Sequence, residues 1–311
     1  MFRGFLFEYM DFGKVATSEL GYVDHHLPAD ASGTAQVLAG AVGSEPLLWY
    51  VGCAKWGREE WKGLIYPEDA KAANFLDAYA KQFNSIELNA SFYKVPTEAA
   101  VESWRKKVEL NAPTGFTFVP KFPRSISHIR KLKNAEEMTQ RFIHSIKGFG
   151  PHLGPCFLQL SDAFTPKDFG VLKAYLESLP RTLEVFVELR NAAWFEDEVV
   201  RSEVFQFFTS RSIGCVITDT SGRRDLLHME LTRAEAFIRF EGNGKATLES
   251  DGKRISEWVK RIAQWREQGL KKVYFFLHQE DEADTPALAA MAISQMNIDL
   301  QAGLSPIQFI S

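Results

Sequence analysis

The sequence has no uninterrupted apolar run of about 18 residues, the length that a membrane-spanning helix requires, so no membrane-spanning segment is predicted. An early apolar stretch is interrupted by Glu8 and Asp11, and it is too short for a secretory signal. Cysteine is scarce: Cys53, Cys156 and Cys215 stand far apart without a CxxC pair, which is typical of reduced thiols in a cytosolic protein. These absences predict a cytoplasmic protein that has no membrane partner.

Charge of one sign is not in excess, because 36 lysine and arginine residues stand against 40 aspartate and glutamate residues, for a net charge of −4. This balance favours neither nucleic acid nor an anionic membrane as a partner. Two phosphate-binding motifs are also missing. The sequence contains no GxxxxGK(S/T), and its first predicted strand leads into GCAKWG rather than GxGxxG. Both observations argue against a P-loop enzyme and against a doubly wound dinucleotide-binding sheet.

Strand-like and helix-like segments alternate through most of the 311 residues. The predicted strands are residues 47–55, 85–91, 116–122, 156–161, 184–190, 214–220, 236–242 and 272–278. The predicted helices lie near 68–83, from Thr97, at 135–148, from Thr165, at 199–210, near Thr232, at 254–268 and at 285–300. Eight such units predict a single closed (β/α)8 TIM-type barrel over residues 47–311. Residues 1–46 lack this periodicity and are predicted to form an irregular N-terminal extension packed on the barrel.

The second strand has one apolar face and one polar face. Ile86 and Leu88 alternate with Glu87 and Asn89, the period-two pattern of a strand. Inside a parallel barrel, polar side chains at the carboxyl-terminal end form the site, so Glu87 and Asn89 are site candidates. The alternative is a strand whose polar face is turned to water.

Polar side chains also occur near the ends of the other predicted strands. These residues are Lys121, Gln159, Glu188, Arg190, Asp219, Arg239, Glu241 and His278. Seven strands thus contribute polar groups to one end of the predicted barrel. Because acidic and basic groups are balanced, they could instead form a structural network of ion pairs inside it.

The stretch KFPRSISHIRKLK, residues 121–133, is rich in basic residues and contains no acid. It begins at a strand end with Lys121 and includes His128, so it is expected to form a loop over the site. Such a loop attracts phosphate or carboxylate, which predicts a small anionic ligand. A solvated loop that opens a helix is the alternative.

Several linked motifs resemble the YecE-like family, domain of unknown function 72. They are FNSIELNASFYKVP, KFPRSISH, FLQL, VELRNAAWF and the strand that ends in Asp219, together with VGCAKWG and IYP upstream. The resemblance implies a TIM-type barrel, and it implies no reaction because that family has no established activity. By motif match, the family's characteristic polar positions are Glu87, Asn89, Lys121, His128, Glu188, Arg190 and Asp219. The sequence departs from the family pattern at FIRFEG, at FFLHQED and in the N-terminal extension.

Three classes of function remain open. In an enzyme of the hydrolase, lyase or isomerase type, the predicted catalytic residues are Glu87, Glu188 and Asp219, and the substrate-binding residues are Asn89, Lys121, His128, Arg190 and Arg239. A divalent-metal enzyme would use Glu87, Glu188, Asp219 and His278 as ligands, although the interspersed arginines argue against it. A non-catalytic protein would bind a phosphorylated metabolite or, less favoured, nucleic acid. A retaining glycosidase is disfavoured because the fourth strand offers Gln159 where a carboxylate is needed. No reaction class, metal or cofactor is assigned.

Overall fold

A computed structural model of the chain describes residues 13, 15–41, 43, 45–113, 115–279 and 281–310. The strands are β1 Leu48–Cys53, β2 Ser85–Leu88, β3 Thr117–Pro120, β4 Cys156–Gln159, β5 Val185–Glu188, β6 Gly214–Asp219, β7 Glu235–Gly242 and β8 Lys272–Gln279. The α-helices are α1 Ser32–Ala39, α2 Phe75–Gln82, α3 Ala90–Tyr93, α4 Glu98–Asn111, α5 Glu136–Ile146, α6 Phe169–Ser178, α7 Ala193–Glu196, α8 Glu198–Ser210, α9 Leu248–Gln268 and α10 Thr285–Leu300. Short 3-10 turns and one π-helical turn, Ser125–Ile129, complete these elements.

The strands form two parallel sheets. Six strands pair in the order β1-β8-β7-β6-β5-β4 and curl into half of a barrel, while β2 and β3 pair only with each other. The prediction of a closed eight-stranded barrel is therefore wrong, although the α/β class and the succession of strands and helices along the chain are observed. Between β3 and β4, an isolated bridge joins Lys121 to Phe157 beyond the end of β3.

Side chains replace backbone pairing between β1 and β2, which explains why no ladder forms there. The Asn84 side chain accepts a hydrogen bond from the Val51 amide at 2.8 Å. The Tyr79 hydroxyl accepts from the Cys53 amide at 2.7 Å and donates to the Ser85 carbonyl at 2.9 Å. These backbone groups of β1 and β2 therefore form hydrogen bonds to side chains and not to each other. Because buried backbone groups need only one such partner, no β-ladder is required between the two strands.

Helix starts were predicted more accurately than the end of β2. The Thr97 hydroxyl caps α4 by accepting from the Ala100 amide at 3.2 Å, as expected from its position. The second strand, in contrast, ends at Leu88, and α3 begins where its alternation was expected to continue. Ser91 explains this turn, because its hydroxyl lies 2.7 Å from the Leu88 carbonyl and 2.7 Å from the Lys121 carbonyl. The helix predicted near Thr232 is also absent from this described segment, where a 3-10 turn, Arg224–Leu226, lies upstream.

The core has an inner and an outer part. The inner cluster lies within the curled sheet and is built from Val119, Phe157, Phe186, Val216, Phe237, Tyr274 and Phe276. The outer part fills the space between the strands and the helices. Side chains of β5 alternate between the two parts, since Phe186 lies in the inner cluster while Val185 and Val187 lie in the outer one. The mostly aromatic inner cluster lies directly beneath the polar side chains at the carboxyl ends of the strands.

The N-terminal region contains helix α1, which the sequence pattern did not predict. The Thr34 hydroxyl donates to the Met229 carbonyl at 3.0 Å, and Asp30 accepts from Arg261 and from the Trp265 indole nitrogen of α9. Of the predicted extension, residues 1–12, 14, 42 and 44 lie outside the described residues. In the described part of the chain, no helix is both long enough and apolar enough to cross a membrane.

Candidate functional site

A layer of buried polar side chains lies above the inner core, at the carboxyl ends of the strands. We call it the carboxyl-end cluster; its members are Glu87, Lys121, Gln159, Glu188, Thr218, Arg239 and His278. Strand geometry places most of them: Gln159, Glu188, Thr218, Arg239 and His278 each follow an inner-core residue by two positions, and so share its face. Because residues two positions apart on a strand share a face, the polar side chains that follow the inner-core residues form one polar layer.

Arg239 is the centre of the carboxyl-end cluster. Its Nε and Nη2 donate to the two carboxylate oxygens of Glu87 at 2.7 and 3.1 Å. Its Nη1 donates to both oxygens of Glu188 at 3.3 and 3.4 Å. Burial disfavours the guanidinium charge, but the two carboxylates outweigh burial and raise the pKa of Arg239 above its usual value. One arginine thus bridges acids that come from β2 and β5.

Glu188 is held in its ionised form by its neighbours. It accepts hydrogen bonds from Gln159 Nε2 at 2.7 Å, Thr218 Oγ1 at 2.8 Å and Arg190 Nε at 3.0 Å. Burial acts to raise its pKa, yet Arg190 and Arg239 outweigh burial and lower the pKa of Glu188 to about 2. A carboxylate this acidic is a good anchor for cations and a weak proton acceptor at neutral pH.

Glu87 is similarly enclosed. It is fully buried and accepts from Asn89 Nδ2 at 3.0 Å, while its other oxygen lies 3.2 Å from His278 Nε2. Burial opposes ionisation, but Arg239 and His278 outweigh it and hold the pKa of Glu87 well below its usual range. Asn89, although it lies just after the strand, therefore still reaches the site.

Lys121 differs from these residues because its ammonium group forms no ion pair with an acid among the residues that the structure describes. It is only 3% exposed, and its Nζ lies 4.4 Å from the centre of the Phe92 ring and 5.1 Å from that of Phe157. No hydrogen-bond acceptor among the described residues lies within bonding distance of Nζ. Burial and the neighbouring charge of Arg239 lower the pKa of Lys121 to about 7. Near neutral pH, a large fraction of this amine is therefore uncharged.

His128 is the second residue of the basic stretch that reaches the cluster. Its Nδ1 lies 2.8 Å from the Ser127 hydroxyl, and its ring meets the Phe92 ring edge-on at 5.1 Å. Burial and Lys121 lower the pKa of His128 to about 4, so its imidazole is neutral at physiological pH. Arg130 and Lys133 are exposed on the surface, so only part of the basic stretch faces the site.

Asp219 lies away from the carboxyl-end cluster. It follows the inward-facing Thr218 on β6 and so points to the other side of the sheet. There its carboxylate accepts hydrogen bonds from Arg254 at 2.8 Å, from the Trp258 indole at 2.7 Å, and from Arg224. We call this group, together with Asp251, the outer-face network. The structure thus brings Glu87, Lys121, Glu188 and Arg239 together and separates Asp219 from them.

The four acidic and histidine side chains considered as metal ligands do not converge. Arg239 lies between Glu87 and Glu188, and Asp219 faces α9. Among the residues that the structure describes, no group of three or more His, Cys, Asp or Glu side chains could hold a metal ion.

Glu241 was not among the predicted site residues, although it belongs to the polar strand ends. It follows Arg239 by two positions on β7 and pairs in register with His278 on β8. Its carboxylate makes no hydrogen bond or ion pair with any described residue. Burial raises the pKa of Glu241 in spite of nearby His278 and Arg239. The alternation of the sequence FIRFEG was the available signal for this position.

Comparison with known sequences gives two kinds of match. The sequence model of the family described as "Protein of unknown function DUF72" matches residues 50–308. The UPF0759 protein YecE of Escherichia coli (strain K12) is 27% identical over 257 residues, which cover 77% of this chain and 89% of that protein. The UPF0759 protein YunF of Bacillus subtilis (strain 168) is 22% identical over 287 residues, covering 83% and 98%.

Solved structures of DUF72 family proteins share the fold. One from Enterococcus faecalis V583 superposes with a TM-score of 0.63 at 18% identity, covering 85% of this chain and 98% of that one. One from Thermotoga maritima MSB8 has a TM-score of 0.60 at 22% identity, covering 80% and 98%. At these identities the likeness concerns the fold alone, and the names of these relatives state no reaction or ligand.

Proposed function

This chain belongs to the DUF72 family of proteins of unknown function, and on that premise we propose that it is an enzyme that acts on a small anionic substrate at the carboxyl-end cluster. The observation that carries this proposal is Lys121. A lysine that is 3% exposed, lies over two aromatic rings and has a pKa near 7 is costly to maintain in a fold. Strongly perturbed titratable groups of this kind cluster at functional sites.

Lys121 is the proton acceptor in this proposal. General acid–base catalysis is most efficient when the pKa of the catalytic group lies near the working pH. Lys121 meets this condition, whereas Glu188, with a pKa of about 2, does not. Glu87 and Glu188 then act as fixed anchors that position Arg239 and Arg190.

The positive groups around Lys121 supply the anion recognition. Lys121, Arg190 and Arg239 carry three positive charges when the lysine is protonated, against the two of Glu87 and Glu188. A carboxylate or phosphate of the substrate would balance this excess. His128 and Asn89 are neutral hydrogen-bonding groups at the same site.

Two further properties are proposed with this function. We treat residues 1–46 as an extension that packs on the sheet-and-helix domain of residues 47–311, supported by the contacts of Asp30 with α9. We also propose a cytoplasmic location, supported by three buried cysteines that are all free thiols.

Binding of small anions tests the proposal. Calorimetry with inorganic phosphate and a panel of carboxylated and phosphorylated metabolites should find a ligand whose affinity falls with ionic strength. Lys121→Met and Arg190→Ala should each weaken binding by about 1–3 kcal/mol, the range for a lost charge-assisted hydrogen bond. Lys133→Ala, which changes an exposed lysine of the same basic stretch, is the matched control and should bind like the parent.

Proton uptake gives a second readout. An anion that binds beside Lys121 favours the charged amine, so binding near pH 7.5 should take up a fraction of a proton, measurable from the buffer dependence of the binding enthalpy. If the parent and both variants bound the anion with equal affinity, the proposal of an anion site at Lys121 and Arg190 would be wrong. Binding without turnover of any ligand in the panel would indicate a binding protein rather than an enzyme.

A further inference from the structure

We propose that the substrate is a small aldehyde or ketone that carries the anionic group, and that it forms an imine with the Lys121 amine while Glu241 donates the proton. This inference rests on the anion site of the proposed function and deepens it by naming the substrate class; the uncharged Lys121 amine here attacks the carbonyl carbon instead of accepting a proton from the substrate. It depends on two groups of the site that have no ionic partner among the described residues, one an amine and the other a carboxyl group.

The backbone holds Lys121 in a fixed position at the end of β3. Its amide donates to the Leu88 carbonyl at 3.3 Å, its carbonyl accepts from the Ser91 hydroxyl at 2.7 Å, and a β-bridge joins it to Phe157. The side chain extends from this anchored backbone between aromatic rings. A lysine amine becomes nucleophilic when it is desolvated or lies beside another cation, and Lys121 meets both conditions.

Lys121 is the one fully buried lysine among the described residues, and two partly buried lysines have acidic partners. Lys107 pairs with Asp77, and Lys272 lies 3.4 Å from Glu235. Such a pairing favours the ammonium form, which has no free electron pair and cannot attack a carbonyl carbon. Lys121 lacks this constraint, so it is the lysine that the structure prepares for nucleophilic attack.

Glu241 supplies the acid that imine formation needs. It lies on the inner face of β7, two positions beyond Arg239, and opposite His278 of β8. Burial favours its protonated form. A site that used Lys121 only as a proton acceptor would need no second, protonated acid. The site thus holds a buried amine and a buried carboxyl group, neither with an ionic partner among the described residues, and this pair favours condensation with a carbonyl compound.

The step balances with these two residues. The Lys121 nitrogen attacks the carbonyl carbon, and proton transfer from nitrogen to oxygen gives a carbinolamine. The Glu241 carboxyl group then protonates the carbinolamine hydroxyl, the carbon–oxygen bond breaks, and water leaves. The nitrogen electron pair forms the double bond, which leaves a protonated imine on Lys121 and a carboxylate on Glu241.

Reductive trapping tests the inference. The full-length protein is incubated at pH 7.5 with pyruvate, glyoxylate or dihydroxyacetone phosphate, reduced with borohydride, and analysed by intact mass and peptide mapping. We expect one secondary-amine adduct on Lys121, formed at least tenfold faster than on any other lysine. Lys133→Met should be labelled like the parent, Lys121→Met should lose this adduct, and Glu241→Gln should slow its formation at least tenfold.

The outcomes separate this inference from the function on which it rests. Anion binding that depends on Lys121, with no adduct from any of the three carbonyl compounds, would overturn the imine and leave the proposed function standing. Equal labelling of many exposed lysines would also overturn it. An adduct on Lys121 without measurable phosphate binding would support the imine and count against the anion site. Peptide mapping of the parent protein decides these outcomes even if Lys121→Met fails to fold.

Discussion

Two buried charge networks lie on opposite faces of β6, and they differ in what remains unpaired. Two successive residues of β6 belong to different networks. Thr218 donates to Glu188 in the carboxyl-end cluster, and Asp219 accepts from Trp258 in the outer-face network. All four carboxylate oxygens of Glu87 and Glu188 accept hydrogen bonds. The carboxyl-end cluster nevertheless contains an amine without a described ionic partner, Lys121, and the adjacent Glu241, in register with His278, is an acid without one.

The outer-face network is closed around its two acids. Asp219 accepts from Arg224, Arg254 and Trp258, and Asp251 accepts from Arg254 at 3.0 Å and from the Asn243 amide at 2.8 Å. It connects the end of β6 with α9, which carries Asp251, Arg254 and Trp258. Both acids of the outer-face network are paired, although the buried Arg254 Nε has no hydrogen-bond partner among the described residues. Paired acids of this kind stabilise the fold, whereas an unpaired amine or acid beside a network gives it capacity for a ligand.

The largest expected effect comes from breaking the outer-face network. Arg254→Met removes the partner that Asp219 and Asp251 share, so these two buried carboxylates lose a positive charge that offsets the cost of their burial. Loss of one member of a buried ion pair costs about 3–5 kcal/mol, and we expect this loss in the free energy of unfolding measured with urea. Arg266→Met is the control, because Arg266 donates to the Leu300 carbonyl near the surface and should cost less than about 1.5 kcal/mol.

The same variant also tests the assignment of roles. Folded Arg254→Met should bind phosphate with the parent's affinity, because the outer-face network lies behind the sheet from Lys121. If phosphate binding were lost together with stability, the two networks would not be separable.

Local patterns in the sequence predicted much of this arrangement. The polar ends of the predicted strands pointed to Glu188, Arg190 and Arg239, and in the structure both arginines contact Glu188. Thr97 marked the start of α4 correctly. These features depend on residues that are close together in the chain, so they can be predicted without knowledge of the tertiary structure.

The wrong predictions depend on contacts between distant residues. Closure of the sheet failed because Asn84 and Tyr79 bond the backbone groups of β1 that would otherwise pair with β2. The position of Asp219 was misjudged because a strand-end carboxylate looks the same in sequence whichever face it takes. Its direction follows only when Thr218 is known to contact Glu188. The pKa of Lys121 likewise depends on burial that no local pattern reveals.

The next largest effect concerns the cost of burying Lys121. Its pKa is about 7 in the fold against about 10.4 in an unfolded chain, so the unfolded state binds more protons between these values and stability rises with pH. Lys121→Met removes this cost. We expect it to exceed the parent's stability by roughly 2–4 kcal/mol at pH 6, an order of magnitude set by 1.36 kcal/mol per pKa unit; the pKa of about 7 already includes the attraction to Glu87 and Glu188.

This advantage should shrink as the pH rises from 7 towards 10, because the folded state has then lost the Lys121 proton and no longer buries its charge. Urea unfolding at pH 6, 8 and 10 measures it, and Lys133→Met controls for the loss of one positive charge. A Lys121→Met variant that is less stable than the parent at pH 6 would show that the ammonium group is stabilising, and the contrast between the two networks would weaken.

The smallest effect compares one substitution at two positions of the same site. Burial acts to raise the pKa of Glu188, but its arginine partners outweigh burial and hold this pKa at about 2, below the unfolded value. Its stabilisation is therefore present above about pH 4.5 and is lost as the pH falls towards 2. Glu188→Gln should therefore cost about 1–3 kcal/mol at pH 7, the range for hydrogen bonds to a charged group, and less at pH 3.

Glu241 should show the opposite pH dependence, because burial raises its pKa. Its contribution to the free energy of unfolding is present in acid and is lost as the pH rises through the folded pKa. Glu241→Gln should be as stable as the parent at pH 3 and more stable at pH 7. Urea unfolding of both variants across this range gives the answer, and a loss of stability in both at pH 7 would place Glu241 among the anchoring carboxylates.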